Sequence, residues 1–246
     1  MRSGLLSCLI ALGLCVTGLG SLACGQTEEP DEEKVVVDDT MPEIKWKGEA
    51  QPLFPKQGMG KWEPISFGGE GDCSLKDGLL TIESGDPMTG VILPRKDLPT
   101  HNYELQLEAR RTEGIDFFCG LTFPVNDSHC CLIVGGWAGA VVGLSNLDDQ
   151  DASSNDSRQL MTFEDERWYK FRIRVYEDRI AVWLDDVCVI NRDISDTKIS
   201  LRGDTLSCRP LGLCTFQTSS QTRKLTLRRF AVPEPNQGAN SGGGHR

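Results

Sequence analysis

Sustained amphipathic helix is what this chain most conspicuously lacks. Between Lys61 and Ala231 no stretch keeps a helical apolar period of useful length, which excludes helical bundles and alternating α/β folds. Basic charge is also short, because 26 Lys and Arg stand against 36 Asp and Glu for a formal net charge of -10. A chain this acidic gains nothing from counterion release at phosphates, so no nucleic-acid partner is expected. Histidine occurs at three positions, His101, His129 and His245, and no compact Cys-x2-Cys pair precedes one of them, so a zinc motif is weakly supported. Long apolar runs reduce to one, Leu5 through Leu22, which follows Arg2 and is repeatedly interrupted by glycine. That pattern reads as an export signal rather than a membrane span.

Behind that run, Ser21-Leu22-Ala23-Cys24 places small residues before a cysteine. It resembles the bacterial lipobox, in which the cysteine becomes the lipidated first residue. Plain cleavage after Ala23 is the alternative. The expectation is therefore an extracytoplasmic protein with a signal peptide over residues 1–23. It is either lipid-anchored through Cys24 to a membrane facing the periplasm, or secreted. Residues 24–58 carry acidic runs and proline and read as a flexible tether. Residues 233–246, rich in Gly and Asn, read as a disordered tail. Residues 59–232 remain as one domain, long enough for a sizeable core.

Seven cysteines follow Cys24, an odd number that leaves at least one unpaired if all pairing is internal. Cys119, Cys130, Cys131 and Cys188 lie in apolar strand patterns, where cysteine acts as a small hydrophobe. Cys208 and Cys214 flank Arg209-Pro210 and are a candidate bridge across that turn.

What the domain does contain is period-two alternation broken by turn residues. Trp62 to Phe67, Gly78 to Ile82, Val91 to Leu93 and Tyr103 to Arg110 read as the first strands. In the last of these Tyr103, Leu105, Leu107 and Ala109 face a core. The block Gly114 to Leu144 supplies three more, about 117–123, 129–134 and 140–144. Their near-continuous apolarity predicts strands covered on both faces. A polar loop from Ser145 to Arg158 follows, and loops of that length tend to be functional or mobile. Trp168 to Tyr176 and Arg179 to Ile190 read as two alternating strands, placing Trp183 on the polar face with Arg172 and Arg174. Runs at 211–216 and 224–231 bring the count to eleven or twelve, that of a two-sheet jelly roll.

The runs Phe67-Gly68-Gly69, Asp77-Gly78-Leu79-Leu80, Pro87-Met88-Thr89-Gly90, Glu108-Ala109-Arg110, the 114–144 block, Arg167-Trp168-Tyr169, Trp183-Leu184-Asp185-Asp186 and Pro210-Leu211-Gly212-Leu213 resemble the 3-keto-disaccharide hydrolase domain family. The likeness spans about Trp62 to Phe230 and is nearest to secreted and lipoprotein members from planctomycete bacteria. It implies a concanavalin-like, laminin-G-like jelly-roll sandwich whose concave sheet holds a saccharide or modified sugar. It also implies hydrolysis of 3-keto-glycosides. Two departures weaken the catalytic implication. The paired acids of a Glu-x-Asp-x-x-Glu strand, expected of relatives of family 16 glycoside hydrolases, are missing. Ile115-Asp116-Phe117-Phe118-Cys119-Gly120 also stands where many members carry a polar Gly-Asn-Ser-Gly-Ile run.

Candidate site residues follow from chemistry. Asp116 with Arg110 across a short hairpin offers an acid and an orienting guanidinium, or else a surface ion pair of little worth. His129 beside Asp127 offers a general base, or else a turn histidine. Trp137 after two glycines, and Trp183 with Arg172, offer flat rings for a sugar face, or else core. Trp62 and Trp168, at strand starts, are the better core candidates, and Trp46 falls in the tether. No cofactor is expected. A divalent cation held by Asp148, Asp149 and Asp151 is an open alternative without regular loop spacing behind it. Hydrolase, noncatalytic saccharide-binding module and structural cell-surface domain stay open. Convergence of Arg110, Asp116 and His129 in one pocket would mark the first.

Overall fold

In the computed structural model residues 40–233 are described. The segment expected to be a signal peptide, Cys24, most of the expected tether and the residues beyond Pro233 lie outside them. Period-two patterning becomes fifteen strands: β1 Lys45–Pro52, β2 Glu63–Pro64, β3 Cys73–Lys76, β4 Leu79–Ile82, β5 Met88–Leu93, β6 Tyr103–Gly114, β7 Cys119–Val125, β8 Ser128–Gly135 and β9 Val141–Ser145. After these come β10 Gln159–Leu160, β11 Tyr169–Val175, β12 Arg179–Leu184, β13 Val187–Asp193, β14 Leu211–Phe216 and β15 Thr218–Ala231. One antiparallel sheet runs β13-β12-β11-β6-β15-β4-β3, with β1 also on β15. The other runs β10-β9-β8-β7-β14-β5-β2. Together they make the two-sheet jelly-roll sandwich that the alternation predicts.

The core lies between the sheets because alternate residues of each strand point there. Leu105, Leu107 and Ala109 of β6 meet Phe171 and Ile173 of β11 from one side, and Leu121, Phe123, Leu132 and Leu144 from the other. Phe118 anchors one end, with ring contacts to Phe163, Tyr169 and Phe171 at centroid separations of 5.2, 6.1 and 6.4 Å. Trp62 is core as expected, its indole N–H donating to the Leu53 carbonyl at 3.0 Å.

Several expectations change. The tether does not extend to residue 58, because Lys45–Pro52 pairs antiparallel with β15. Trp46 there packs edge-on against Phe230, with ring centroids 6.0 Å apart. Charged residues in 45–52 disguise the strand, since all eight positions are exposed. The run 179–190 divides at Asp185-Asp186, both at positive φ, into a hairpin of β12 and β13. Acidic side chains tolerate that left-handed turn, so the sequence looks continuous where the backbone reverses.

The two outer faces differ sharply. That of the eight-stranded sheet is polar and open to solvent. That of the seven-stranded sheet carries a second apolar cluster, including Ile65, Met88, Phe117, Cys131, Ile133 and Cys214. Apolar side chains on both faces are what made this block read as continuous. The cover is the 145–158 loop together with a 3-10 turn at Gly203–Cys208. Asn155 pins the loop by donating to the carbonyls of Leu144, Gln150 and Asp151, while the Ser157 hydroxyl accepts from Leu144 N–H. Gly143 permits the close approach: a Cβ there would sit 2.8 Å from the Ala152 carbonyl oxygen.

Candidate functional site

A cavity of about 210 Å³ opens on the covered face of the seven-stranded sheet. Its floor is Phe117, Ile133 and Phe216, and its rim is Asp116, Trp137, Ser145, Arg202, Asp204 and Thr205. Ile133 and Phe216 come from β8 and β14, Phe117 from the connection before β7, and Ser145 from the end of β9, while the other rim groups come from three connections. Asp116 stands between β6 and β7, Trp137 between β8 and β9, and Arg202 to Thr205 at the 3-10 turn.

Trp137 occupies an unusual backbone. Gly135, Trp137, Ala138 and Gly139 all have positive φ, at 77°, 50°, 62° and 94°. For Trp and Ala this left-handed conformation costs on the order of 1–2 kcal/mol each and persists only when the surroundings enforce it. Asp116 is the enforcing group. Its carboxylate accepts from Ala138 N–H at 3.0 Å with one oxygen and from Phe117 N–H at 2.7 Å with the other. The Asp116 N–H in turn donates to the Thr218 hydroxyl. Held this way, the Trp137 ring is 39% exposed at the cavity mouth.

Arg202 supplies the cationic side. Its guanidinium carbon lies 5.9 Å from the Trp137 ring centroid. It pairs with Asp204 at 3.2 Å and Asp151 at 3.3 Å. Two carboxylates on one arginine, with Asp116 also lining the cavity, leave the rim net acidic. Such a rim suits hydroxyl donors better than anions, and the apolar floor and tryptophan suit the C–H face of a ring.

The sequence candidates separate. Asp116 and Trp137 line the cavity together. Arg110 does not join them: it alternates with the buried Ala109 and therefore lies on the outer face of the eight-stranded sheet. There its guanidinium pairs with Glu166 at 2.8 Å, donates to Gln221 and stacks 4.8 Å from the Trp168 centroid. The Arg110–Asp116 hairpin pair is corrected for a simple reason: β6 runs on to Gly114, paired with β15 as far as Thr218, before the chain crosses to the other sheet.

His129 does share the cavity's face, alternating with Cys131 and Ile133 along β8. Four residues of extended strand separate it from Ile133, about 13 Å. Burial, then the nearby Arg209 charge, lowers its pKa below the ordinary 6.5 and favours the neutral ring. Asp127 is exposed in the β7–β8 turn, and no hydrogen bond or ion pair joins it to His129. Arg110, Asp116 and His129 therefore do not converge.

Trp183 and Arg172 do share the polar face of the eight-stranded sheet, but as a closed stack. Arg172 lies 4.2 Å and Arg174 5.2 Å from the Trp183 centroid, which leaves that residue 6% exposed. Trp168, expected in the core, is instead on this outer face between Arg110 and Arg223, the latter at 3.9 Å. The three loop carboxylates considered for a cation each have other partners. Asp148 accepts from Lys198 N–H, Asp149 pairs with Lys198 Nζ, and Asp151 accepts from Ser153. Among the described residues no group of three His, Cys, Asp or Glu side chains is placed to hold a metal ion.

Sequence reasoning missed Arg202, Asp204 and Thr205. Their signal was Gly203-Asp204 in a polar stretch just before the Cys208–Pro210 turn. Nothing in that stretch says it folds back over β5 and β14.

Residues 49–228 match the 3-keto-alpha-glucoside-1,2-lyase-like domain family. The chain belongs to that family. No curated protein sequence matches it. Among solved structures it is similar to the exoplasmic/lumenal domain of VIP36 in its Ca2+/Man3GlcNAc-bound form, with a TM-score of 0.50 and 11% identity over 78% of this chain and 93% of that one. Two others are the carbohydrate binding module CBM66 from Bacillus subtilis (TM-score 0.47, 14% identity, covering 68% and 94%) and a putative glycosyl hydrolase from Parabacteroides distasonis (TM-score 0.44, 14% identity, covering 74% and 100%). At such identities the VIP36 likeness bears on the sandwich fold alone.

Proposed function

We propose that this family member binds a saccharide in the cavity between Trp137 and Phe216, outside the cytoplasm, as a recognition domain. One observation carries the reading: an energetically disfavoured backbone presents a half-exposed tryptophan over an apolar floor, ringed by hydrogen-bonding groups. A sugar's C–H face would stack on the ring or floor, and its hydroxyls would donate to Asp204 or to the Thr205 hydroxyl oxygen, whose own proton goes to the Arg202 carbonyl, and accept from the Arg202 guanidinium. Asp116 is better described as a positioning residue, because both its oxygens already accept backbone N–H groups. Export, and retention through a lipid on Cys24, are part of the proposal and rest on the sequence alone.

Turnover of 3-keto-glycosides is the second reading, favoured by the family to which the chain belongs. Its reacting acids would have to be sought at the cavity, where Asp204 and Asp116 are both lining residues, and not at Arg110 or His129. Calorimetric titration with glucosides and 3-keto-glucosides, followed by product analysis, separates the two. Saturable binding without product supports recognition. Product formation abolished by Asp204→Asn supports the enzyme, and no heat with any saccharide overturns both.

A further inference from the structure

The 3-10 turn that walls the cavity ends on a cysteine, and that cysteine lies against the strand carrying another. Cys208 closes the turn, the chain reverses at Arg209-Pro210, and β14 begins at Leu211. Cys208 rests on the outward face of β14 at Gly212, where a Cβ would meet the Cys208 Cβ at 2.9 Å and its carbonyl oxygen at 2.5 Å. Only glycine allows that contact. The next outward-facing residue of β14 is Cys214. Both cysteines belong to the second apolar cluster, at 0% and 1% exposure, and both are free thiols.

We propose that Cys208 and Cys214 are a redox site whose disulfide fastens the cavity wall to β14. Two S–H bonds break and one S–S bond forms. Two electrons and two protons pass to a small-molecule disulfide, which leaves as two thiols. The consequence is positional: Asp204 and Thr205 ride on the turn, so closing the bond fixes one side of the cavity. The Cys208 side chain is the foremost reason that the Cys214 thiol is held well above its ordinary pKa, and burial adds to it. A buried protonated thiol is a poor nucleophile, so the exchange takes place while the turn is lifted or during folding. Cys131, in the same cluster, is the third thiol and the competitor for either partner.

The test is independent of any saccharide. Trypsin cuts after Arg202 and Arg223 but not at Arg209-Pro210, so one peptide, 203–223, contains Cys208 and Cys214 and no other cysteine. The full chain is refolded with oxidised glutathione, denatured with iodoacetamide present and digested without reductant. The expected peptide is unalkylated and lighter by two hydrogens, and takes two alkyl groups after reduction. Two alkyl groups without reduction, a glutathione adduct, or a link to the Cys131 peptide would each overturn the proposal. The oxidised chain is also expected to melt about 5 °C above the reduced one. Cys131→Ser keeps that difference and Cys208→Ser abolishes it. Equal melting of oxidised and reduced wild type contradicts the fastening role.

Discussion

The eight-stranded sheet turns Trp46, Trp168 and Trp183 outward and stacks arginine on each, leaving Trp183 buried and Trp46 partly exposed, whereas the seven-stranded sheet turns apolar side chains outward and covers them with folded-back backbone. On the first face the stacking partners come from the same sheet, one strand or two away, so the surface is satisfied as soon as the sheet forms. Arg228 on Trp46 at 4.5 Å, Arg223 on Trp168 at 3.9 Å and Arg172 on Trp183 at 4.2 Å repeat one solution. On the second face the cover comes from connections distant in sequence. They fit imperfectly, and the misfit is the cavity. An outward tryptophan therefore marks a candidate site where the fold leaves a cavity beside it, as at Trp137.

That contrast can be broken most severely at Gly212. Valine there would drive a side chain into Cys208, and overpacking of this kind costs about 1–3 kcal/mol. Chemical denaturation of Gly212→Val should show that loss together with a displaced turn, read as reduced protection of 203–208 in hydrogen exchange. A comparable effect is expected at Asn155, whose side-chain NH2 is shared among the carbonyls of Leu144 on β9 and of Gln150 and Asp151 in the covering loop. Asn155→Ala should cost roughly 1–3 kcal/mol and raise amide exchange in the loop while leaving the eight-stranded sheet unchanged.

On the open face, Arg172→Ala removes one cation–π partner of Trp183 and should cost about 0.5–1 kcal/mol in the same denaturation assay, with no change at the cavity. The gentlest probe is acid. The folded-state pKa of His129 lies below 6.5, so the unfolded chain takes up the proton first. The stability present above pH 6.5 falls as pH drops through the lower folded value. His129→Gln should flatten that part of the pH–stability curve, whereas Arg110→Gln on the other sheet should leave it in place.

Much of the sandwich was legible because alternation is local. Tyr103 to Ala109 and Tyr169 to Val175 announce both their faces, and near-continuous apolarity in 119–125 and 130–134 announces a second cover. Lys45–Pro52 was not legible, since a strand exposed at all eight positions has no apolar face to advertise it. Of the site, Asp116 and Trp137 were legible as chemistry out of place in a buried block. Arg202, Asp204 and Thr205 were not, because packing sixty or more residues away brings them to β8. Arg110 misled because its partner set, Gln221 and Glu166, is equally remote in sequence and consumes the charge that a site would need.

The central claim is that recognition belongs to the covered face and not to the arginine–tryptophan face, and paired tryptophan substitutions test it most directly. In saccharide titrations followed by calorimetry, Trp137→Ala should weaken binding by roughly tenfold or more, as expected when about 1.4 kcal/mol of contact is removed, while Trp183→Ala leaves affinity within about twofold. Undiminished binding by Trp137→Ala together with loss in Trp183→Ala would contradict the account and move the site to the opposite sheet.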